Sequence, residues 1–228
     1  MQTEVGGAFS INVGNDVCDV EIVNHIDYDD LRFIIDSLNS GRICDMNNAY
    51  DNGLEVLGSG SYGDVYGYKG YAIKKLYGDN NFEKKRCNDI QSMKDLSHLS
   101  CIPKLYAIVG GDIIIIERIF GVTVNQYCNE GIDDDSITVD ESFVEKWDNA
   151  LLDVISNGYS PDDLHEHNVM IEFETNRPVL VDLGWFHKHG MHYDTNNKND
   201  LRSNDSYLKA NRWAGQVIRD YVDRYASI

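Results

Sequence analysis

Hydrophobic and polar residues alternate along residues 54–76, a pattern typical of strands that bury one face. The runs LEVLGSG and DVYGY lead to a tight turn at Lys69 and Gly70, and YAIKKL follows that turn. Further along, KLYAIV and IIIIERI are apolar runs joined by Gly-Gly-Asp. Because glycine-containing junctions of this kind favour tight turns, we predict antiparallel strands and hairpins through this part of the chain.

Four other segments show the three- and four-residue spacing of apolar positions that indicates amphipathic helices. They are residues 27–41, 81–99, 142–158 and 206–225. The last is predicted as one helix, with a shared apolar face made of Ala210, Trp213, Val217, Tyr221 and Tyr225. Trp147 lies on the apolar face of the third helix, and we expect it and Trp213 to belong to the core.

The order of these elements is strands, a helix, more strands, and then helices around a short apolar hairpin at 168–184. A doubly wound sheet would instead alternate strand and helix throughout. The order predicts an α+β fold, with a strand-rich part at 51–120 and a helical part at 121–228. The acidic segment 1–50 is expected to be an N-terminal extension, and the sequence assigns it no role.

The net charge of −18 disfavours nonspecific binding to nucleic acids and anionic membranes, because the overall field repels phosphates. The charge is uneven along the chain. Residues 64–104 carry eight Lys and Arg against five Asp and Glu, whereas residues 129–163 carry eleven acidic residues and one basic. The first segment favours an anionic ligand and the second a cationic partner, although a solvated acidic surface explains the second segment equally well.

Several absences in the sequence indicate a cytoplasmic protein. The cysteines form no Cys-x-x-Cys pair and are odd in number, as is typical of reduced thiols; they are Cys18, Cys44, Cys87, Cys101 and Cys128. No run of about 18 apolar residues is present, so we expect no membrane span. The first ten residues, MQTEVGGAFS, lack the basic start and apolar core of a signal peptide.

Three glycines form the pattern G-x-G-x-x-G-x-V, which runs from Gly58 through Gly60 and Gly63 to Val65. A dinucleotide-binding turn requires a helix directly after the glycines, and a P-loop requires G-K-[ST]. The alternating run that follows here fits neither motif. Glycines at a strand–strand turn allow backbone N–H groups to approach phosphate oxygens, and Lys74 on the next strand adds a positive charge. The stretch therefore predicts a phosphate-binding lid.

Oxygen-bearing side chains follow downstream in a matching order. Asp163 precedes Asn168 by five residues, and Asp182 follows Asn168 by fourteen residues, at the end of an apolar run. With the glycine pattern and Lys74, these blocks resemble the motifs of the protein-kinase superfamily, H-R-D-L-x-x-x-N and D-F-G among them. The resemblance covers roughly residues 54–185.

The resemblance implies a two-lobed kinase-like fold with a β-rich N-lobe and a truncated helical C-lobe, and it implies ATP and Mg²⁺ as cofactors. Asp163 would be the catalytic base, Lys74 would hold the α- and β-phosphates, and Asn168 and Asp182 would bind Mg²⁺. The implied nucleotide-binding residues are Gly58, Gly60, Gly63, Val65, Ala72, Lys74, Asp89, Glu117 and Ile119. The last two belong to the segment that would serve as the hinge strand.

Two positions depart from the family pattern. Asp89 stands where the family has the glutamate that pairs with Lys74, and Glu83 is the alternative partner. Pro161 and Asp162 stand where His and Arg are expected. Without that arginine, nothing at this position would bind a phosphorylated activation segment, which favours constitutive activity.

Only 44 residues follow Gly184, with no A-P-E motif, so we expect a reduced C-lobe. With this expected short C-lobe, the chain resembles the minimal kinases of T7-like phages and secreted bacterial effectors. That resemblance implies a serine/threonine kinase of host or partner proteins, in the host cytoplasm if the chain is viral or a secreted effector. His165 is instead similar to the aminoglycoside- and choline-kinase-like branch and keeps a small-molecule kinase open. Asp89 and the missing His-Arg pair keep open a pseudokinase that acts by binding.

Overall fold

The computed structural model describes residues 5–13, 16–39, 53–77, 88–132, 135–189 and 201–225. These residues form an α+β fold with a large antiparallel sheet and six helices. The chain divides into two compact units, one made of Met1–Ile90 and Lys104–Arg118, the other of Gln91–Pro103 and Ile119–Ile228. None of the helices within the described residues is long and apolar enough to cross a membrane.

The first unit contains a seven-stranded antiparallel sheet with the order β1-β2-β6-β7-β5-β4-β3. Its strands are β1 Ala8–Val13, β2 Asp16–Ile22, β3 Glu55–Ser59, β4 Gly63–Tyr68, β5 Tyr71–Leu76, β6 Leu105–Val109 and β7 Ile113–Glu117. The two hairpins predicted from the sequence are confirmed. Lys69 turns the first with φ 50°, and Gly110 and Gly111 turn the second with φ 60° and 77°, left-handed values that glycine tolerates best.

Helix α1, Tyr28–Asn39, confirms the helix predicted at 27–41, and it covers one face of this sheet, which was not predicted. The Asp27 carboxylate caps the helix by accepting hydrogen bonds from the N–H groups of Asp30 (3.1 Å) and Asp29 (2.9 Å), and these bonds lower the pKa of Asp27. The buried cluster of helix and strand residues includes Leu31, Ile34, Ile35, Leu38, Val20, Tyr66, Ile73 and Ile115. The helical spacing of its α1 members explains why this face of the helix packs on the sheet.

The segment 1–50, expected as an extension, contributes two strands to the sheet. Strand β2 pairs with β1 and also with β6, through Val20 opposite Val109 and Ile22 opposite Ala107. The hydrophobic pattern had predicted only the helix of this segment. The missed signal is the dipeptide Gly14-Asn15 between the runs AFSINV and DVCDVEI, a two-residue hairpin signature.

Helix α2, Asp89–Leu96, lies at the point where the chain passes from the first unit to the second. It confirms the second half of the helix predicted at 81–99, whose residues 81–87 lie outside the described residues. Met93 and Leu96 are buried, as the three-residue spacing predicted.

Within its described residues the second unit contains four further helices and two small antiparallel sheets. The helices are α3 Val124–Cys128, α4 Glu141–Ser156, α5 Asp205–Arg212 and α6 Ala214–Tyr225. One sheet has the order β11-β10-β8, and the other pairs β12 with β9. Their strands are β8 Gly121–Thr123, β9 Tyr159–Pro161, β10 Val169–Glu172, β11 Pro178–Leu180 and β12 Phe186–Lys188. The β10–β11 pair confirms the hairpin predicted at 168–184.

The single helix predicted at 206–225 is wrong, because the chain breaks between α5 and α6 at Trp213, where φ is −99° and ψ is −98°. Trp147 is fully buried as expected, but Trp213 is 41% exposed. The break shifts the buried face of α6 to Ala214, Gly215, Ile218 and Val222. A Cβ at Gly215 would overlap Asn211 Oδ1 and would lie 2.7 Å from Trp147 Nε1, so the side chains of α5 and α4 leave little room for a larger residue there.

Candidate active site

The face of the large sheet opposite α1 carries the expected nucleotide-binding strand residues. Val65 is paired with Lys74 across β4 and β5, and Ala72 is paired with Ile116 across β5 and β7. Since side chains alternate along a strand and Tyr66, Ile73 and Ile115 face α1, the intervening residues face the other way. We call this surface the lysine face.

Lys74 is held in the lysine face by a buried ion pair. Its Nζ lies 2.5 Å from Oδ2 of Asp89, and the two side chains are 10% and 1% exposed. Asp89 is the first residue of α2, where a negative charge also interacts favourably with the helix dipole. Of the two partners considered for Lys74, Asp89 is therefore the one paired with it, and Glu83 lies outside the described residues.

The glycine turn between β3 and β4 is closed by a hydrogen bond from the Gly60 N–H to the Gly63 carbonyl (2.9 Å). A Cβ at Gly63 would overlap the Lys75 carbonyl oxygen on the neighbouring strand, so strand packing itself requires glycine there. Gly58 and Gly60 have no such requirement among the described residues. A Cβ at Gly58 would meet nothing within 4 Å, and one at Gly60 would meet only the Gly63 oxygen, at 4.0 Å.

Tyr77, just beyond β5, fastens this turn to the sheet. Its hydroxyl donates a hydrogen bond to Asp64 Oδ1 (2.8 Å) and lies 3.2 Å from Ser59 Oγ. Its N–H donates to the Tyr62 carbonyl at the tip of the turn (2.9 Å). Both strands of the turn are thus tied to one tyrosine, a contact that the glycine pattern did not predict.

Glu117 and Arg118 end the first unit beside the lysine face. The Glu117 N–H donates to the Lys104 carbonyl (2.8 Å), so it is engaged within the sheet. Arg118 forms an ion pair with Glu55 (2.6 Å), and its Nη1 lies 2.8 Å from the position a Cβ would take at Gly67. Gly67 therefore makes room for a guanidinium on the lysine face, a feature that sequence reasoning missed.

Ile119, the other expected hinge residue, is the next residue along the chain and begins a segment of the second unit. Its side chain is buried.

In the second unit a tight loop brings Asp163 and Asn168 together. The Asn168 side chain donates from Nδ2 to the Asp163 carbonyl (2.9 Å), and the Asn168 N–H donates to the His165 carbonyl (2.9 Å). The His165 N–H in turn donates to the Asp163 carbonyl (3.2 Å). Leu164 is fully buried and anchors the loop in the core.

The β10–β11 hairpin brings Asp182 to the same loop. Val169 is paired with Leu180, and the next step of the ladder is a hydrogen bond from the Val181 N–H to the Asn168 carbonyl (3.1 Å). Asp182 follows directly, and its Oδ1 accepts a hydrogen bond from the Gly184 N–H (3.1 Å). Antiparallel pairing therefore gathers three residues that are up to nineteen positions apart in the sequence.

The donor chemistry of Asn168 and Asp182 suits Mg²⁺. Because Asn168 Nδ2 is committed to a backbone carbonyl, its Oδ1 is the atom that a cation would meet, and Asp182 contributes a carboxylate. Magnesium sites of this kind use one or two carboxylates and complete the shell with water and substrate phosphates. Across the described ranges no group of three or more His, Cys, Asp or Glu side chains that would hold a metal by itself is found.

Asp162, which stands where the resemblance expects arginine, also has a defined environment. Its Oδ1 accepts hydrogen bonds from Lys209 Nζ (3.1 Å) and Ser160 Oγ (3.3 Å), and its Oδ2 lies 3.8 Å from His187 Nε2. Pro161 is the last residue of β9 and is paired with Phe186 of β12. The position is therefore occupied by a carboxylate with basic neighbours.

The described cysteines are free thiols, and burial makes two of them unreactive. Burial raises the pKa of both Cys101 and Cys128 to about 12, so both remain protonated at neutral pH. Cys44 and Cys87 lie outside the described residues.

No protein-family model matches the chain, and no curated protein matches its sequence.

Proposed function

We propose that this chain is an ATP- and Mg²⁺-dependent protein kinase with a kinase-like two-lobed fold, which phosphorylates serine or threonine side chains of a host or partner protein. Asp163 accepts the proton of the substrate hydroxyl, and Asn168 and Asp182 hold Mg²⁺. Lys74, fixed by Asp89, neutralises the phosphates. Phosphoryl transfer is catalysed mainly by positioning and charge neutralisation, so few residues suffice.

The hydrogen bond from the Asn168 side chain to the Asp163 carbonyl carries this proposal. It links the residue proposed as base to a residue proposed as metal ligand, and the ladder bond from Val181 to Asn168 brings Asp182 beside them. A loop that served only to connect β9 to β10 would not need to place Asp163 and Asn168 next to the chain segment that carries Asp182. The arrangement supports a shared site for a hydroxyl group and a metal-bound phosphate.

The first unit supports the same proposal independently. A lysine is costly to bury, and it is retained here in a buried ion pair on the face that also bears Val65 and Ala72. Gly58 and Gly60 leave the backbone of the turn open, which is the condition under which phosphate oxygens can approach N–H groups.

The proposal is tested by incubating the purified full chain with labelled ATP, Mg²⁺ and a mixed protein extract. We expect label on protein, and we expect Asp182→Asn to abolish it. Asp163→Asn should lower kcat by about 10²- to 10⁴-fold, the range that a positioned general base contributes. The matched control is Glu166→Gln, which removes a carboxylate from the same loop and should leave the rate unchanged.

Two other results would decide against this function. Turnover with aminoglycosides or choline but with no protein would identify a small-molecule kinase. No transfer to any acceptor, together with weak or absent ATP binding, would instead support a protein that acts by binding a partner. Equal losses in Asp163→Asn and Glu166→Gln would show that the loop tolerates no charge change and would remove Asp163 from its proposed role.

A further inference from the structure

Asp162 makes contacts with two segments that lie far from it in the sequence. Its side chain binds Lys209 of α5 at 3.1 Å and lies 3.8 Å from His187 of β12. Its N–H donates to the Trp185 carbonyl (3.3 Å), directly ahead of β12. The residue immediately before Asp163 is thus fastened through both its backbone and its side chain.

Lys188, the residue after His187, is also held by a carboxylate. Lys188 Nζ lies 2.9 Å from Asp95 Oδ2, and Tyr159 donates its hydroxyl hydrogen to the same carboxylate oxygen (2.6 Å). Strand β12 is therefore paired with β9 through the backbone, and the carboxylates of Asp95 and Asp162 also contact its side chains. Ser160 of β9 also contacts Ser206 of α5, with 2.5 Å between the hydroxyl oxygens.

We propose that Asp162 is a positioning residue for the phosphoryl transfer, which locks the segment after Asp182 and helix α5 against the loop of Asp163 without any phosphorylation. The inference rests on the proposed function. The carboxylate acts through its neighbour, because it fixes the backbone next to Asp163.

The Asp162–Lys209 contact should depend on the salt concentration, unlike a hydrophobic contact. The Asp162 and Lys209 side chains are 30% and 52% exposed, so dissolved salt screens their attraction. Activity that depends on this pair should fall as the salt concentration rises, and a variant without the pair should show a smaller fall.

The test compares Asp162→Asn, Lys209→Met and the double variant with wild type in steady-state kinetics. Each single variant should lower kcat about three- to tenfold, in keeping with the loss of charge-assisted hydrogen bonds at a partly exposed carboxylate. The KM for ATP should stay within about twofold of wild type, since these contacts lie outside the nucleotide-binding residues. The double variant should be no slower than Asp162→Asn alone, because both changes break one contact.

Three controls make the result specific. Arg212→Met removes a positive charge from the same helix and should leave kcat unchanged, while Asp162→Glu should recover most of the wild-type rate. Hydrogen exchange of the amides of His187 and Lys188 should speed up in Asp162→Asn. Phosphatase treatment of the wild-type protein should leave its activity unchanged.

The inference is overturned if an active wild type loses activity on phosphatase treatment, or if Asp162→Asn keeps both kcat and amide protection. A drop in kcat that is additive in the double variant would also overturn it, since the two residues would then act separately. A wild type that transfers no phosphate removes the proposed function first and the positioning role with it. The phosphate-transfer assay of the wild type therefore distinguishes a wrong proposed function from a wrong positioning role for Asp162.

Discussion

Each unit contains an Asp–Lys ion pair, and these two pairs lie in opposite environments. In the first unit the Lys74–Asp89 pair is buried, whereas in the second unit Asp95 is 27% and its partner Lys188 68% exposed. A buried charge that loses its partner is strongly destabilising, but an exposed pair contributes little because water and salt screen it. The same Asp-to-Asn change should therefore cost folding stability in the first unit and should mainly affect rates and local order in the second.

The largest effect is expected for Asp89→Asn. The change leaves the Lys74 ammonium buried without the carboxylate 2.5 Å from it, and it should lower the free energy of unfolding by about 3 kcal/mol, as broken buried pairs do. Urea unfolding followed by tryptophan fluorescence and circular dichroism measures the loss.

The matched variant is Asp163→Asn, which makes the same chemical change in a partly exposed loop and should leave the unfolding free energy nearly unchanged. If Asp89→Asn were as stable as wild type, the pair would not be buried in solution as it is here. If Asp163→Asn were equally destabilising, the contrast between the two units would fail.

A second comparison lies within the glycine turn, because strand packing requires Gly63 but does not require Gly60. Gly63→Ala forces a Cβ into the Lys75 carbonyl and should cost about 1–3 kcal/mol of stability, the range of overpacked sites. Gly60→Ala meets open space, so its stability should stay within about 0.5 kcal/mol of wild type, as at most surface sites.

The two variants separate folding from nucleotide binding. We expect Gly60→Ala to raise the KM for ATP severalfold, because the added methyl group would take up open space at a turn whose N–H groups are proposed to meet phosphate oxygens. The KM for ATP and urea unfolding are measured on the same preparations. A stable Gly60→Ala protein with an unchanged KM would show that this glycine is not used by the nucleotide.

Regular strand alternation made the lysine face of the first unit predictable. Once the strands at 54–76 were recognised, the side of the sheet shared by Val65, Ala72 and Lys74 followed from the two-residue period. The hairpin at 168–184 likewise implied that Asn168 and Asp182 meet. Periodicity could not supply the partner of Lys74. The sequence placed Asp89 at the pairing position with Glu83 as the alternative, and the structure pairs Lys74 with Asp89.

Contacts between distant segments could not be predicted from the sequence. Nothing in the local pattern connects Asp162 with Lys209, forty-seven residues later, or Asp95 with Lys188, because such pairs depend on how the chain returns. The break at Trp213 was missed for a related reason. Helical periodicity continues through it, and the close approach of Trp147 to Gly215, just after the break, is a contact between distant segments that local periodicity does not contain.

The smallest effect is expected for Asp95→Asn and concerns pH. Hydrogen bonds from Tyr159 and Lys188 hold the pKa of Asp95 below its ordinary value of 3.8. A carboxylate whose pKa is lowered by folding contributes stability at pH values above 3.8, and that contribution disappears as the pH falls through the pKa of the folded state. Because the pair is exposed, the contribution should stay below about 1 kcal/mol.

Urea unfolding at pH 7, 5 and 3 tests this point. Wild type should exceed Asp95→Asn in stability at pH 7 and pH 5, and the difference should shrink at pH 3, where the wild-type carboxyl group begins to take up a proton. Glu174→Gln, which neutralises an exposed acid in the turn between β10 and β11, should show no such convergence. A constant difference at all three pH values would mean that Asp95 acts through shape and hydrogen bonding alone, and the second unit would then depend on its exposed charges less than its geometry indicates.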